Sequence, residues 1–267
     1  MQMQRMLAIA LGMAVVVAPG SMAVGMQPAQ AVEQSTASLF ASLLNQGRQQ
    51  AEQGQLEAAI ATYSQAIQAD ATHAEAYFHR GIAYHDLGDY QLAIADFSRV
   101  LQIRPDHPET LYNRGEAYAH TANAEAAIAD LTQAIELAPE VVQPYLDRGL
   151  VLAATGNLPQ ALSDLDAAIA LAPDNADAYY NRGKIYTELG NAEAALSDFN
   201  TTLRLNPELA EAYGNRGILQ YQLGDSQAAM ADLRQAAALF HAQGDRPGYE
   251  QTLYFIQQVQ QGSEQTP

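Results

Sequence analysis

A glycine that returns every 34 residues constrains the fold of this chain more than any other feature. It marks the eighth position of six consecutive segments, which align without an insertion or a deletion. These segments begin at Phe40, Ala74, Pro108, Val142, Ala176 and Ala210. Their glycines are Gly47, Gly81, Gly115, Gly149, Gly183 and Gly217. A period between about 20 and 50 residues is typical of chains in which copies of one supersecondary unit stack on each other. We therefore expect a solenoid rather than one or two globular domains.

Other positions of the segment indicate two helices joined by a tight turn. Position 20 is always alanine, and with the glycine at position 8 it lets the helices approach closely, while a large apolar residue at position 24 fills the space between them. Position 15 is glycine in five segments and Ala122 in the third. Glycine at this position can adopt the left-handed backbone conformation that ends the first helix. Proline at position 32 of four segments prevents the second helix from continuing. The residues placed to cap the second helices are Asp89, Asn123, Asn157, Asn191 and Asp225.

The residues at positions 8, 11, 20, 24, 27 and 32, with the 34-residue period, resemble the tetratricopeptide repeat (TPR). The resemblance implies an all-α fold, a right-handed superhelix of stacked antiparallel helical hairpins in which the first helix of each hairpin lines a concave groove. Six repeats then cover residues 40–243, a C-terminal capping helix covers 244–261, and we expect residues 262–267 to be disordered. The expected repeats are 40–73, 74–107, 108–141, 142–175, 176–209 and 210–243.

The first 31 residues have the order of a secretory signal peptide. A short basic start precedes an apolar run from Leu7 to Ala18, and small residues follow the Pro-Gly pair after it. We expect cleavage after Ala31, with Ala23 as the alternative site and a retained membrane anchor as the competing interpretation. Residues 32–39 would lead into the repeats. The mature protein is then exported to the periplasm, or to a thylakoid lumen or the medium, without insertion in a membrane.

The composition disfavours several classes of function. A formal net charge of −17 repels the phosphates of nucleic acids, so we expect no nucleic-acid partner. The absence of cysteine excludes disulfides, iron–sulfur clusters and thiol catalysis. The sequence also lacks a glycine-rich phosphate loop, a GxSxG nucleophile motif and a dinucleotide fingerprint. We therefore expect a protein that is not an enzyme and needs no cofactor.

Arginine at position 7 and aspartate at position 23 occur together in repeats two to six. The first repeat has neither, and carries Gln46 and Thr62 instead. An unpaired, half-buried arginine is costly, so this joint occurrence predicts structural ion pairs, within a repeat or across a junction. The alternative is a row of arginines that binds an acidic partner. The paired residues are Arg80, Asp96, Arg114, Asp130, Arg148, Asp164, Arg182, Asp198, Arg216 and Asp232.

The resemblance places positions 2, 5, 9, 12 and 13 of each repeat in the concave groove, where this chain has aromatic and acidic residues. Such a surface suits an extended or helical peptide with apolar and basic residues. We expect a protein-binding scaffold, adaptor or assembly factor. An extracytoplasmic protein that binds a glycan or another small ligand is the alternative. The expected contact residues are Phe78, Tyr112, Tyr180, Lys184 and Tyr221, with Glu109 and Glu116 selecting the charge of the partner.

Two histidines of repeats two and three could converge on one wall of the groove. His85 and His120 would lie there with Asp86 and Glu116. The sequence has no HExxH motif and no comparably tight spacing of ligands, and histidines in a groove are usually solvated or hydrogen-bonded. From the sequence we expect no metal site.

Overall fold

The computed structural model describes the backbone of residues 28–265 and the side chains of residues 36–261. Within these residues all regular secondary structure is α-helical, and every helix lies next to the one that follows it in the chain. The thirteen helices of the described residues are α1 (Pro28–Glu52), α2 (Leu56–Ala69), α3 (Ala74–Asp86), α4 (Tyr90–Ile103), α5 (Pro108–His120), α6 (Ala124–Leu137), α7 (Gln143–Ala154), α8 (Leu158–Leu171), α9 (Ala176–Glu188), α10 (Ala192–Leu205), α11 (Ala210–Gln222), α12 (Ser226–Gln243) and α13 (Arg246–Gln265).

Each odd-numbered helix from α1 to α11 pairs with the next even-numbered helix to form one hairpin. The two helices meet where the glycine at position 8 faces the large residue at position 24. A Cβ atom added to Gly81 would lie 2.7 Å from Phe97 Cε1, and one added to Gly183 would lie 2.9 Å from Phe199 Cε1. The alanine at position 20 is fully buried in every repeat. The core is therefore a row of small, repeated contacts.

The stacking of the hairpins separates the helices into two layers. Each first helix contacts the first helix of the next repeat, whereas no two second helices contact each other in the described part of the chain. The first helices therefore form the closer, inner layer of a curved stack, and their exposed faces line its concave side. We call this inner surface of α3, α5, α7, α9 and α11 the groove. Helix α13 packs on α12 and α11 and closes the C-terminal end of the stack.

The turns within the hairpins use left-handed backbone. The glycines at position 15 have φ between 73° and 89°, and Ala122 has φ of 57°. The side chains of Asn123, Asn191 and Asp225 accept hydrogen bonds from backbone N–H groups and cap the second helices. Asp89 and Asn157 stand at the same place without a side-chain capping bond. Capping therefore occurs at three of the five predicted sites.

The two ends of the described chain are more helical than we expected from the sequence. Helix α1 begins at Pro28, so it includes the lead-in and the last residues of the expected signal peptide, whose first 27 residues lie outside the described ones. The expected capping helix ended at residue 261, whereas α13 continues to Gln265. A lone glycine costs a helix only about 1 kcal/mol relative to alanine and does not by itself end one. Among the described helices, none combines the length and apolar character needed to span a membrane.

Candidate binding groove

The arginines at position 7 and the aspartates at position 23 are paired within their own repeats. In all five pairs the arginine Nε and Nη2 donate to the two carboxylate oxygens over 2.6–2.8 Å. This bidentate geometry is the strongest that arginine makes with a carboxylate. The five pairs, which we call the arginine ladder, are Arg80–Asp96, Arg114–Asp130, Arg148–Asp164, Arg182–Asp198 and Arg216–Asp232.

The same arginines also join neighbouring repeats. The Nη1 atom of each donates to the residue at position 25 of the preceding repeat, as Arg148 does to Thr132 Oγ1 over 2.9 Å. In Arg182 this partner is Asp166, at 2.6 Å, so one guanidinium serves two carboxylates. The hydrogen bonds that Arg182 donates to Asp198, more than the nearby negative charges, raise the pKa of Arg182. Each of the three guanidinium nitrogens therefore donates a hydrogen bond within the protein, as expected of a structural ion pair.

A desolvated acidic cluster lies at the centre of the groove. Tyr112 is half-buried beside Asp147 and Glu116, and burial, followed by these two negative charges, raises the pKa of its hydroxyl. Burial also raises the pKa of Asp147 to about 6, with Glu116 acting in the same direction. The Oδ2 atom of Asp147 is buried and has no hydrogen-bond partner among the described residues. A carboxylate in such surroundings favours a cationic partner.

Our reading of the sequence missed Asp147. Its signal was a departure from the repeat, because position 6 is asparagine in four repeats and aspartate only in the fourth. A single charged replacement in an otherwise polar, neutral column is worth examining in any repeat protein. The physical reason is that equivalent positions of successive repeats are buried to a similar degree. The aspartate therefore places a charge in an environment that accommodates a neutral amide in other repeats.

A histidine cluster adjoins this acidic cluster. We define it as His85 of α3 together with Glu116 and His120 of α5. One ligand atom of each lies within 4.8 Å of the other two. The ring of Tyr90 stacks on His120 with centroids 4.3 Å apart and an interplanar angle of 4°. Three of the four residues whose convergence we considered from the sequence therefore meet, while Asp86 lies beside them with its Oδ1 atom 3.9 Å from His85 Nδ1.

The C-terminal half of the groove is organised around the only lysine of the chain, Lys184. Its Nζ atom lies 5.3 Å from the ring centroid of Tyr180, whose hydroxyl accepts a hydrogen bond from Asn215 over 3.0 Å. Lys184 is exposed and borders two cavities. One, of about 290 Å³, includes Phe199 in its lining, and the other, of about 320 Å³, includes Leu150. Apolar side chains of a ligand could enter these cavities beside the ammonium group.

The remaining predicted contact residues are placed separately. Phe78 packs edge-on against His107 at 5.5 Å and is only partly exposed. The hydroxyl of Tyr221 donates to the backbone oxygen of Gln258 over 3.3 Å, so this ring joins repeat six to the capping helix. Glu109 is exposed at the start of α5. The structure thus brings together Tyr112 with Glu116, and Tyr180 with Lys184, in two neighbouring parts of the groove.

Models of the families "TPR repeat" and "tetratricopeptide repeat" match most of the repeat region. The first matches residues 47–88 and 149–190. Two models of the second match residues 74–107 and 176–209, and residues 108–141 and 210–240. No enzyme family is among these matches. Comparison with curated protein sequences gives no significant match.

Solved structures of repeat proteins resemble the chain over most of its length. YrrB, described as a TPR protein with an unusual peptide-binding site, is 28% identical, with a TM-score of 0.58 over 64% of this chain and 88% of YrrB. MamA is 25% identical, with a TM-score of 0.58 over 62% of this chain and 96% of MamA. PilF of Pseudomonas aeruginosa is 16% identical with a TM-score of 0.68 over 82% of this chain and 99% of PilF, and it supports the fold alone. The period, the hairpins and these matches together lead to one conclusion. The chain belongs to the tetratricopeptide repeat family.

Proposed function

We propose that this protein is a non-catalytic scaffold, adaptor or assembly factor that holds a protein or peptide in its groove. The observation that carries the proposal is the group of acidic residues on the groove. The ladder arginines do not offset this negative charge, because each is already paired with its own aspartate at position 23. Glu109, Glu188 and Glu211 add exposed or partly exposed carboxylates to the central cluster. A partner with basic residues would relieve this uncompensated charge.

The partner that fits best is an extended or helical segment with both basic and apolar side chains. Its basic groups would face Glu109, Glu116 and Asp147, where a low local dielectric strengthens the attraction. Its apolar groups would enter the cavities beside Lys184 and contact the ring of Tyr180. The helices hold this surface in place before binding, so little conformational entropy is lost when the partner binds. The likeness to YrrB, a TPR protein with an unusual peptide-binding site, supports such a role.

The test is site-specific photo-crosslinking in the native cell. A photoreactive amino acid replaces Lys184 in the groove in one variant and Gln133, exposed on the second helix α6, in a matched control. Mass spectrometry then identifies the adducts. We expect one or a few protein adducts at position 184 that are absent at position 133. Equal adducts at both positions, or none at 184, would contradict a groove that binds protein. An adduct of glycan or of a small molecule at position 184 would instead support the alternative ligand class.

Export to an extracytoplasmic compartment belongs to the same proposal. It rests on the order of charge, apolar run and small residues in the first 31 residues. The measurement is the mass of the mature N-terminal peptide from the native cell. A peptide that starts at Val32, or at Val24, supports cleavage of a signal peptide, whereas a peptide that retains Arg5 contradicts it.

A further inference from the structure

The histidine cluster has the arrangement of a small metal site. Glu116 and His120 are four residues apart on α5, so their side chains share one face of the helix. His85, in the last turn of α3, reaches the same place from the preceding repeat. The Nε2 atom of His85 lies 3.9 Å from Glu116 Oε2. Three ligand atoms from two helices therefore surround one point.

Two aspects of the surroundings orient the imidazoles. The Tyr90 ring lies flat against His120 and edge-on to His85, with centroids 4.3 Å and 5.2 Å away. This packing restricts both imidazole rings. The carboxylate of Asp86 lies near the Nδ1 atom of His85, on the side of the ring away from Glu116. A carboxylate that accepts the other ring N–H commonly fixes the orientation of a metal-binding histidine. At 3.9 Å Asp86 is beyond hydrogen-bond distance, so a small rotation would be needed for it to take this role.

One atom of the cluster indicates a ligand directly. His85 Nε2 is buried and has no hydrogen-bond partner among the described residues, although it points towards Glu116 Oε2. A buried ring nitrogen without a partner is unfavourable in a folded protein. It is also the atom that would bind a metal ion held jointly with Glu116 and His120. The buried, unpartnered nitrogen is therefore a second observation in favour of a metal, separate from the types of residue in the cluster.

We propose that His85, Glu116 and His120 bind a divalent transition-metal ion, with zinc as the best fit. Two imidazoles and one carboxylate are ligands that Zn²⁺ commonly takes, and three protein ligands leave a fourth position open. Metal–ligand distances of about 2.1 Å place tetrahedral ligand atoms about 3.4 Å apart. The ligand atoms here lie within 4.8 Å of one another, so small side-chain rotations are sufficient. Because His120 is exposed, the open position faces the groove.

The experiment measures metal binding itself and does not depend on any partner protein. Tag-free protein is stripped with a chelator and titrated with Co²⁺ and then with Zn²⁺, by absorption spectroscopy and calorimetry. The variants are His85→Gln, Glu116→Gln and His120→Gln. The control is His241→Gln, since His241 is exposed on α12 and lies outside the cluster. Circular dichroism checks that each variant is folded, and His120→Gln, at an exposed site, remains informative if His85→Gln is unstable.

We expect one equivalent of metal in the wild type and in His241→Gln, with d–d bands typical of a four-coordinate cobalt site. Loss of an outer-sphere partner weakens metal sites about 10- to 100-fold, so loss of a ligand here should weaken binding about 100-fold or more. The proposal is overturned if the wild type binds no metal stoichiometrically, if His120→Gln binds as tightly as the wild type, or if His241→Gln loses binding equally. These outcomes leave the proposed groove function untouched, because crosslinking at Lys184 tests it separately.

Discussion

At the scale of the residue, Ala122 destabilises the fold through its backbone conformation. It has φ of 57°, while the equivalent residue of every other repeat is a glycine with positive φ. A left-handed conformation costs an L-residue about 1–2 kcal/mol and costs glycine little. A Cβ atom added to the equivalent glycines would meet no atom within 4 Å, so the cost of the alanine is in the backbone and not in packing.

Replacement of Ala122 by glycine should therefore stabilise the protein. We expect Ala122→Gly to raise the free energy of unfolding by about 1 kcal/mol, after allowance for the greater freedom of glycine in the unfolded chain. The matched control, Gly156→Ala in the next repeat, should lower it by a similar amount. Urea unfolding followed by circular dichroism measures both changes. An unchanged or reduced stability of Ala122→Gly would mean that the backbone of this turn relaxes in solution.

His79 should make the protein sensitive to acid. It accepts a hydrogen bond from Arg48 Nε over 3.1 Å and stacks on Tyr63, so its ring must be neutral. Burial, followed by the charge of Arg48, lowers the pKa of His79, and Glu75 opposes this change. A histidine with a lowered folded pKa stabilises the fold above its unfolded pKa of about 6.5, and this stabilisation is lost as the pH falls through the folded pKa.

An NMR titration of the histidine rings tests this prediction. We expect the His79 pKa to lie below 6.5. We also expect the unfolding free energy of His79→Gln to fall less steeply than that of the wild type as the pH drops below about 6.5. A pKa at or above the ordinary histidine value would show that Glu75 outweighs both burial and Arg48.

At the scale of the element, the hairpins differ in how tightly their helices meet. A Cβ atom on Gly81 would lie 2.7 Å from the ring of Phe97, whereas one on Gly149 would lie at an ordinary 3.4 Å from Leu165. The type of residue at position 24 does not explain the difference, because Leu131 and Leu233 would also lie close, at 2.9 Å and 3.0 Å, to a Cβ atom on Gly115 and Gly217. The fourth hairpin is the one in which the two helices leave room. Position 8 therefore requires glycine in the second repeat but can accommodate a Cβ atom in the fourth.

A pair of alanine substitutions makes this comparison. We expect Gly81→Ala to lower the free energy of unfolding by about 1–3 kcal/mol, because the ring of Phe97 must move. We expect Gly149→Ala to be neutral or stabilising by up to about 1 kcal/mol, because alanine favours helix and its Cβ fits. Thermal unfolding of the two variants distinguishes these effects. Equal destabilisation would mean that α7 and α8 approach more closely than Gly149 and Leu165 indicate.

Helix boundaries were predictable because their causes are local. The repeat starts at Ala74, Pro108, Ala176 and Ala210 are also the first residues of α3, α5, α9 and α11. The groove was less predictable, since it depends on how far one hairpin rotates against the next. The sequence suggested that His85 and Glu116 could converge, but no pattern in it predicts how closely they meet or that Asp147 Oδ2 is buried. The hydrogen bond from Tyr221 to Gln258 was unpredictable for the same reason, because it depends on where α13 packs.

At the scale of the whole molecule, the arginine ladder links each repeat to its neighbour. Asp164 is nearly buried and holds Arg148 in place, and Arg148 in turn reaches Thr132 in the preceding repeat. Stability in a repeat protein is approximately the sum of repeat terms and nearest-neighbour terms. Each arginine–aspartate pair contributes to both terms, so its loss should destabilise the preceding repeat as well as its own.

Removal of one residue of an arginine–aspartate pair should lower the free energy of unfolding more than removal of both. We expect Asp164→Ala to lower the free energy of unfolding by about 3–5 kcal/mol, because it leaves a half-buried guanidinium uncompensated. The double variant Arg148→Gln with Asp164→Thr, which copies the residue types of repeat one, should be less destabilised than the single variant. Chemical denaturation of both proteins provides the comparison. The reverse order would mean that the guanidinium stays well solvated without its aspartate.

The negative charge of the groove should control the binding of a basic partner. We expect Glu109→Lys to weaken such binding and to reduce its dependence on salt, whereas Glu193→Lys, on the second helix α10, changes the net charge equally with a smaller effect. The measurement is the affinity for the crosslinked partner at several salt concentrations. Identical effects of the two substitutions would assign the attraction to net charge instead of the groove.

Each hairpin contacts only the hairpins next to it, and this has a mechanical consequence. A small rotation at each junction adds up along the stack, so the superhelix can lengthen or tighten while every hairpin keeps its core. The molecule should then deform elastically under tension, as a soft spring does, before any helix unfolds. A partner longer or shorter than the relaxed groove would be accommodated by a change of pitch, and the stiffness of the junctions would determine how much binding energy that change consumes.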